Sequence, residues 1–465
     1  MTMSASALFA VLSLSTVPCV SGPADITGRG SRPTLSGTEQ IVRSEDGLFA
    51  LHYTREGEDR VQSVQDLDAD GRPDVVDEVL AGLEMARSAF VARGYRDVVR
   101  DAGGGGGPEL DVYIVDLANN GFANAVPAEA AEEPWSCYIR LAADLTSQGG
   151  ELLESVAAHE LNHCVQYRYT TTSDTWIYES AATFEQYGLY ESGLLEVGLQ
   201  VLWGTRLSGA GRPLDDVGNR FEYAGFSWWK FWNEFQPGVE RMVPLWEALA
   251  SEPRWRQALD AQALALWELT LPEVFLEFST WNAFACARDD GGHYAQDAMP
   301  CLLENVSVPV TLMAADQELV VVLDPGDYTS ATLELDDDGG GQSPFVQCEL
   351  SEAQEQAQVL VRLIGLDQYG RRGAQAEAHL DPSGQIGLRL DEGLVIGGRA
   401  IVVLASVGEA AATVSCVAGF VEPLAQEPEA AAGDGCQCST SPWAGTYWSL
   451  LVPWLLAWVV LRRRL

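Results

Sequence analysis

Two of the five histidines in this 465-residue chain, His159 and His163, stand four positions apart with Glu160 beside the first. On a helix, residues four apart share one face, so both imidazoles reach a single metal ion while Glu160 projects beside it. This H-E-x-x-H pattern suits zinc. Held by three protein ligands, zinc leaves a fourth position for water, lowers that water's pKa to about 7 and polarises a carbonyl. A carboxylate beside the water can take its proton during attack and pass it to a leaving amine. The bland alternative is a helix with two surface histidines and no ion.

The third ligand must come from elsewhere. A spacer of fifteen residues after His163 leads to Glu179, within Trp176-Ile177-Tyr178-Glu179-Ser180-Ala181-Ala182, at the head of a further helical run. Glu185, six residues on and on a different helix face, is the other candidate, and either carboxylate could instead be simple helix solvation. The extended metzincin pattern needs Gly at 166 and His at 169; Gln166 and Tyr169 exclude that class.

The metal must be positioned by two helices. Residues 151–167 (ELLESVAAHELNHCVQY) are strong helix formers with an apolar stripe through Leu152, Val156 and Leu161. Ahead of it, the chain gives a strand-like stretch (LFALHYT), an amphipathic helix over Val75–Arg93, a flexible break at Gly103–Gly107, and strands at Leu110–Leu117 and Cys137–Leu141. A mixed sheet in front of the metal-bearing helix is expected. From Asp216 to Trp281 the pattern is helical and rich in Trp, which reads as aromatic packing rather than a cofactor or sugar platform. Beyond Val308, segments such as LVVVLD, ATLELD and AIVVLAS alternate or run β-branched between Gly, Asp and Pro, the texture of a β-sandwich.

Residues Asp66, Asp68, Asp70, Gly71, Asp74 and Asp77 occupy positions 1, 3, 5, 6, 9 and 12 of a calcium-loop spacing. The plain alternative is an acidic turn capping the helix that begins near Asp74. Asp plus Glu number 67 against 28 Lys plus Arg, a formal charge of −39, and that field repels a phosphate backbone. Nucleic acid is therefore not an expected partner. The excess reads as a solvated acidic surface, with cation binding by part of it as the alternative.

The helix pair carries a resemblance. The Trp-x-x-Glu-Ser-x-Ala stretch after H-E-x-x-H is similar to the second helix of the gluzincin metallopeptidases, with Ser180 where that family has Gly and a shorter spacer. The resemblance spans roughly residues 150–235. It implies a zinc-dependent peptidase acting on a peptide or protein substrate, with His159, His163 and Glu179 as metal ligands and Glu160 as general base. It also points to Tyr223, in Phe221-Glu222-Tyr223-Ala224-Gly225-Phe226, as a donor to the developing oxyanion; ordinary packing is the alternative.

The ends read as addresses. Residues 1–22 have the apolar run (ALFAVLSLSTV) and small residues of a signal peptide. A linker with a cysteine motif (421–443, containing Gly435-Cys436-Gln437-Cys438) precedes an apolar segment (444–465) that closes on Arg462-Arg463-Arg464. Such a segment can just span a bilayer, with the arginines holding its end in the cytoplasm. The arrangement resembles the MYXO-CTERM sorting tag of myxobacterial surface proteins, with Gln437 between the cysteines where that family has Gly. Export to the cell surface is implied, with disulfides among the nine cysteines: Cys348 with Cys416, Cys286 near Cys301, and Cys137 with Cys164 as a third bridge.

The expected architecture is thus α+β: a zincin-like metallopeptidase domain over 47–300, a β-sandwich domain over 305–420 and a C-terminal transmembrane segment. A functional reading from a different class also fits: a catalytically silent surface protein that keeps the metal helix as structure and uses its β-domain for adhesion.

Overall fold

The computed structural model describes residues 32–421, apart from positions 102, 118–122, 128–135, 172, 191–192, 237–240, 253, 295–307, 314–317, 324–327, 337–342, 351–357, 368, 381–384, 391–398 and 408–411. The expected signal peptide, cysteine motif and membrane segment lie outside the described residues. Within them, no helix is long and apolar enough to cross a membrane.

The first half is a five-stranded sheet in the order β1-β2-β3-β5-β4, from β1 (Gln40–Arg43), β2 (Phe49–Tyr53), β3 (Leu110–Val115), β4 (Ala123–Pro127) and β5 (Cys137–Ala142). The three middle strands are parallel and both edges run antiparallel, so the sheet is mixed, as the sequence indicated. β4 was not foreseen. Its sequence, ANAVP, is short, has alanine at two of five positions and ends in proline, and only pairing with β5 makes it a strand.

Side chains alternate across the sheet. Leu51, Val112 and Ile139 lie on the face covered by α1 (Asp74–Ala92) and α2 (Gly150–Gln166). The two helices approach closely at Gly82, where an added Cβ would come within 2.9 Å of the Glu154 Cβ. The Cys137–Cys164 disulfide ties β5 to α2. The other face carries His52, Asp111, Tyr113 and Tyr138, over which Arg32 folds back: its Nε donates to Asp111 at 2.7 Å, it pairs with Asp101, and its guanidinium lies 5.3 Å from the Tyr138 ring centre.

Helices follow: α3 (Thr175–Leu189), α4 (Gly193–Ser208), the single turn α5 (Phe221–Ala224), α6 (Phe226–Glu234), α7 (Met242–Ser251), α8 (Trp255–Trp267) and α9 (Leu271–Ala283). The tryptophans fill their common core. Trp176, Trp228, Trp229, Trp232, Trp246 and Trp255 are each fully buried, with Trp176 stacked on Trp229 at 5.8 Å and edge-on to Trp255 at 4.9 Å.

The last part is a two-sheet β structure, ordered β11-β10-β13-β8-β6 and β12-β9-β14-β7. Its strands are β6 (Val310–Met313), β7 (Glu318–Leu323), β8 (Thr329–Asp336), β9 (Ser343–Leu350), β10 (Val359–Leu366), β11 (Arg372–Leu380), β12 (Gln385–Arg389), β13 (Arg399–Ser406) and β14 (Ala412–Val421). Cys348 and Cys416, direct partners in the β9–β14 register, are bridged. Cys286 is also disulfide-bonded. β10 is buried along its whole length because both faces are covered. Val361 and Leu363 point into the sandwich, whereas Leu360 and Ile364 join the helical core, with Arg362 between them bound to Glu277 (2.7 Å), Glu377 (2.6 Å) and Thr280 (3.1 Å). A strand buried on both faces reads as a near-continuous apolar run, and VLVRLIGL is broken only by Arg362.

Candidate metal centre

The two helices α2 and α3 bring His159, His163 and Glu179 together, each buried, with one potential ligand atom apiece lying within 4.8 Å of the others. The Glu179 Oε2 is 3.3 Å from His159 Nε2 and 3.6 Å from His163 Nε2. The imidazole rings meet edge to face, 4.9 Å between centres. Sequence spacing therefore placed all three candidate ligands on converging faces.

Each imidazole is oriented from behind by a glutamine. His163 Nδ1 lies 2.8 Å from Gln166 Oε1, and His159 Nδ1 lies 3.2 Å from Gln186 Oε1. The Gln166 amide has no choice of orientation, because its NH₂ donates to the Tyr178 carbonyl at 3.0 Å and to Asn162 Oδ1 at 2.7 Å. Its oxygen must then accept from His163 Nδ1–H, which leaves Nε2 as the nitrogen that faces Glu179. Neither glutamine was read from the sequence as a support for the histidines. Glutamine is an ordinary helix surface residue, and only the packing of α2 on α3 reveals what these two touch.

Electrostatics bind the three groups to one another. Burial opposes charge on His163, but the Glu179 carboxylate and, more weakly, Glu160 outweigh it and raise the imidazolium pKa to about 9. Burial likewise opposes charge on Glu179, yet the facing histidines hold its carboxyl below the usual range. A carboxylate that keeps a cation beside it in a dry site is equally suited to a metal ion, which displaces the proton.

Whether a zinc ion fits can be judged from two buried atoms. His163 Nε2 and Glu179 Oε1 have no hydrogen-bond partner, and such orphans cost roughly 1–3 kcal/mol each unless something satisfies them. Two imidazole nitrogens and one carboxylate oxygen, backed by fixed hydrogen bonds, are a donor set that suits zinc. The residues fit the ion.

Glu160, the next residue on α2, is fully buried. Tyr223 stands on α5 with its ring centre 6.2 Å from that of His159. The turn is held there by close packing on α3. At Gly225 an added Cβ would lie 2.9 Å from the Ser180 Cβ, and the Ser180 hydroxyl accepts from Trp229 Nε1 at 2.7 Å. Ser180 is thus an anchor for the tryptophan core. Glu222, which sequence reading passed over, has its pKa raised by burial, with the Glu179 charge contributing.

Glu185, the alternative third ligand, does not join the centre. It accepts from the Tyr95 hydroxyl at 2.5 Å and pairs with Arg93. Of the five aspartates in the calcium-type loop, Asp66, Asp68 and Asp74 converge within 4.8 Å. Asp70 and Asp77 are instead drawn to Arg72, which pairs with Asp70 and lies 3.2 Å from Asp77. The guanidinium competes for two of the five expected ligands.

No family model matches the chain, and neither does any curated protein. Among solved structures it is similar to the pre-peptidase C-terminal domain of a collagenase from Bacillus anthracis, at 8% identity over 24% of this chain and 94% of that domain, with a TM-score of 0.16. At that level the likeness bears on neither fold nor function.

Proposed function

We propose that this chain is an exported zinc-dependent peptidase of the gluzincin type, with a zincin-like catalytic half followed by an accessory β-sandwich. The observation that carries the reading is the buried convergence of His159, His163 and Glu179 with both distal Nδ1 atoms held by glutamine oxygens. A zinc ion bound there would polarise a substrate carbonyl and acidify a water molecule.

The protein's own groups do the rest. Glu160 takes the proton of the attacking water on a carboxylate oxygen and returns it to the leaving amine; burial beside His163 keeps that carboxylate out of bulk water. The Tyr223 hydroxyl donates to the oxygen that gains charge as the carbonyl becomes tetrahedral. Gln166 and Gln186 fix the imidazoles so that no reorientation is needed during the reaction. The substrate is a peptide or protein. Residues 1–22 would direct export, the segment over 444–465 would hold the protein at the cell surface through the membrane, and Asp66, Asp68 and Asp74 would supply oxygen ligands for calcium.

The test is cleavage of a mixed peptide library by the full-length chain, with and without a chelator, alongside Glu160→Gln. Chelator-sensitive cleavage that Glu160→Gln abolishes while keeping its metal supports the reading. Cleavage unchanged in Glu160→Gln rules out the mechanism, and a metal-replete chain that cuts nothing favours the silent surface protein.

A further inference from the structure

Several buried charges among the described residues are paired. Asp101 and Asp111 face Arg32, Glu334 faces Arg288 and Arg399, Lys230 faces Glu234, and Arg362 faces two glutamates. Arg206 on α4 breaks the pattern. It is 1% exposed, and among the described residues it makes no ion pair.

Its polar contacts are sparse. Nη1 reaches the Pro213 carbonyl at 3.5 Å, the outer limit of a hydrogen bond, and Nε has no partner. The faces of the guanidinium are covered by Phe221 and Phe278, whose ring centres lie 4.8 and 5.6 Å away. Aromatic faces offset part of a cation's desolvation but supply no counter-charge. The carboxylates nearest in charge are already committed: Asp215 to Arg256 at 2.8 Å and Asp216 to Arg212 at 2.6 Å. Burial lowers the Arg206 pKa to about 10, so the side chain still carries its full charge at neutral pH.

Further donors lie along α4. Trp203 Nε1, three residues before Arg206, and Gln200 Nε2, three residues earlier again, are buried and make no hydrogen bond. Positions three apart are neighbours along a helix face. Tyr294 closes over Trp203, edge-on at 4.8 Å. A fixed cation and a neighbouring buried indole N–H, met by one carbonyl at the limit of hydrogen-bond distance, are complementary to a ligand that has negative charge and no protons to give.

We propose that Arg206, with Trp203 beside it, forms an internal site for a small inorganic monoanion of the chloride class. One positive charge calls for one negative charge. The near-complete burial of Arg206 excludes a phosphate ester or a peptide carboxylate attached to a larger body. Phe221, which the guanidinium covers, opens the turn that carries Tyr223, so the anion also braces the approach to the metal centre.

The full-length chain can be melted in sodium chloride and in sodium methanesulfonate at equal ionic strength. Chloride should raise Tm saturably, by roughly 2 °C or more, where the larger anion does not. Arg206→Met should abolish the chloride effect. Equal melting in both salts, or an Arg206→Met protein that keeps the effect, overturns the proposal. If that variant does not fold, bromide-soaked crystals of the unmodified chain decide the matter: an anomalous peak against Arg206 that excess chloride removes supports the site, and no peak there overturns it.

Discussion

Replacing Gln166 by alanine separates a designed metal centre from a chance cluster of polar residues. Gln166 makes three buried hydrogen bonds, accepting from His163 and donating to Asn162 and Tyr178. In Gln166→Ala the His163 Nδ1–H loses its acceptor, and the ring loses what fixes its rotation and tautomer. Removing such a supporting group lowers metal affinity by about 10- to 100-fold, which corresponds to about 1.4–2.7 kcal/mol. Gln186→Ala should do less, because its bond to His159 is longer, 3.2 against 2.8 Å, and only partly buried. Zinc transfer from a chromophoric chelator to metal-free protein measures both. The same titration carries a pH signature. His163 holds a proton below about 9 in the metal-free protein, so zinc must displace it, and apparent affinity should weaken as pH falls from that value. A folded Gln166→Ala protein with zinc affinity within about threefold of wild type would refute the reasoning.

Four further outcomes follow from the geometry. Arg32→Met leaves the buried Asp101 carboxylate without its cation and Asp111 with His52 alone, 3.0 Å away, and should cost about 3–5 kcal/mol in chemical denaturation. Even with Arg32 in place, Asp101 titrates at about 6, raised by burial and then by Asp111, so the folded state binds more protons than the unfolded one and stability should fall as pH rises from about 4 to 6. Gly225→Ala places a Cβ 2.9 Å from Ser180 and 3.2 Å from the Glu222 carbonyl, and should destabilise by about 1–3 kcal/mol while displacing Tyr223 and slowing any cleavage. Tyr223→Phe should lower kcat by about 10²- to 10³-fold with zinc content unchanged, and an unaltered kcat would return Tyr223 to a packing role.

The convergence of the candidate metal ligands was legible because its signal is local. His159, Glu160 and His163 lie on one helix, Glu179 heads the next, and helical spacing alone aims them at one another. Element types were also legible wherever periodicity was strong, as in α1, α2 and the paired strands of the sandwich. What stayed hidden depends on partners far along the chain. Arg32 meets Asp101 and Asp111 across 69 and 79 residues, and no local pattern announces that contact. The calcium-type spacing missed the intervening Arg72, whose guanidinium competes for Asp70 and Asp77. Gln166 shows a third limit: the residue that excluded one metallopeptidase class by its identity turned out to hold His163, a role visible only once α2 packs on α3.

Metal stoichiometry tests the central claim most directly. Full-length chain purified without chelator and analysed by mass spectrometry for metals should carry about one zinc per chain, as should Glu160→Gln, whereas His163→Ala and Glu179→Ala should carry little. Wild-type protein that stays metal-free after incubation with equimolar zinc, or a Glu179→Ala protein that binds zinc as tightly as wild type, would contradict a shared site at these three side chains.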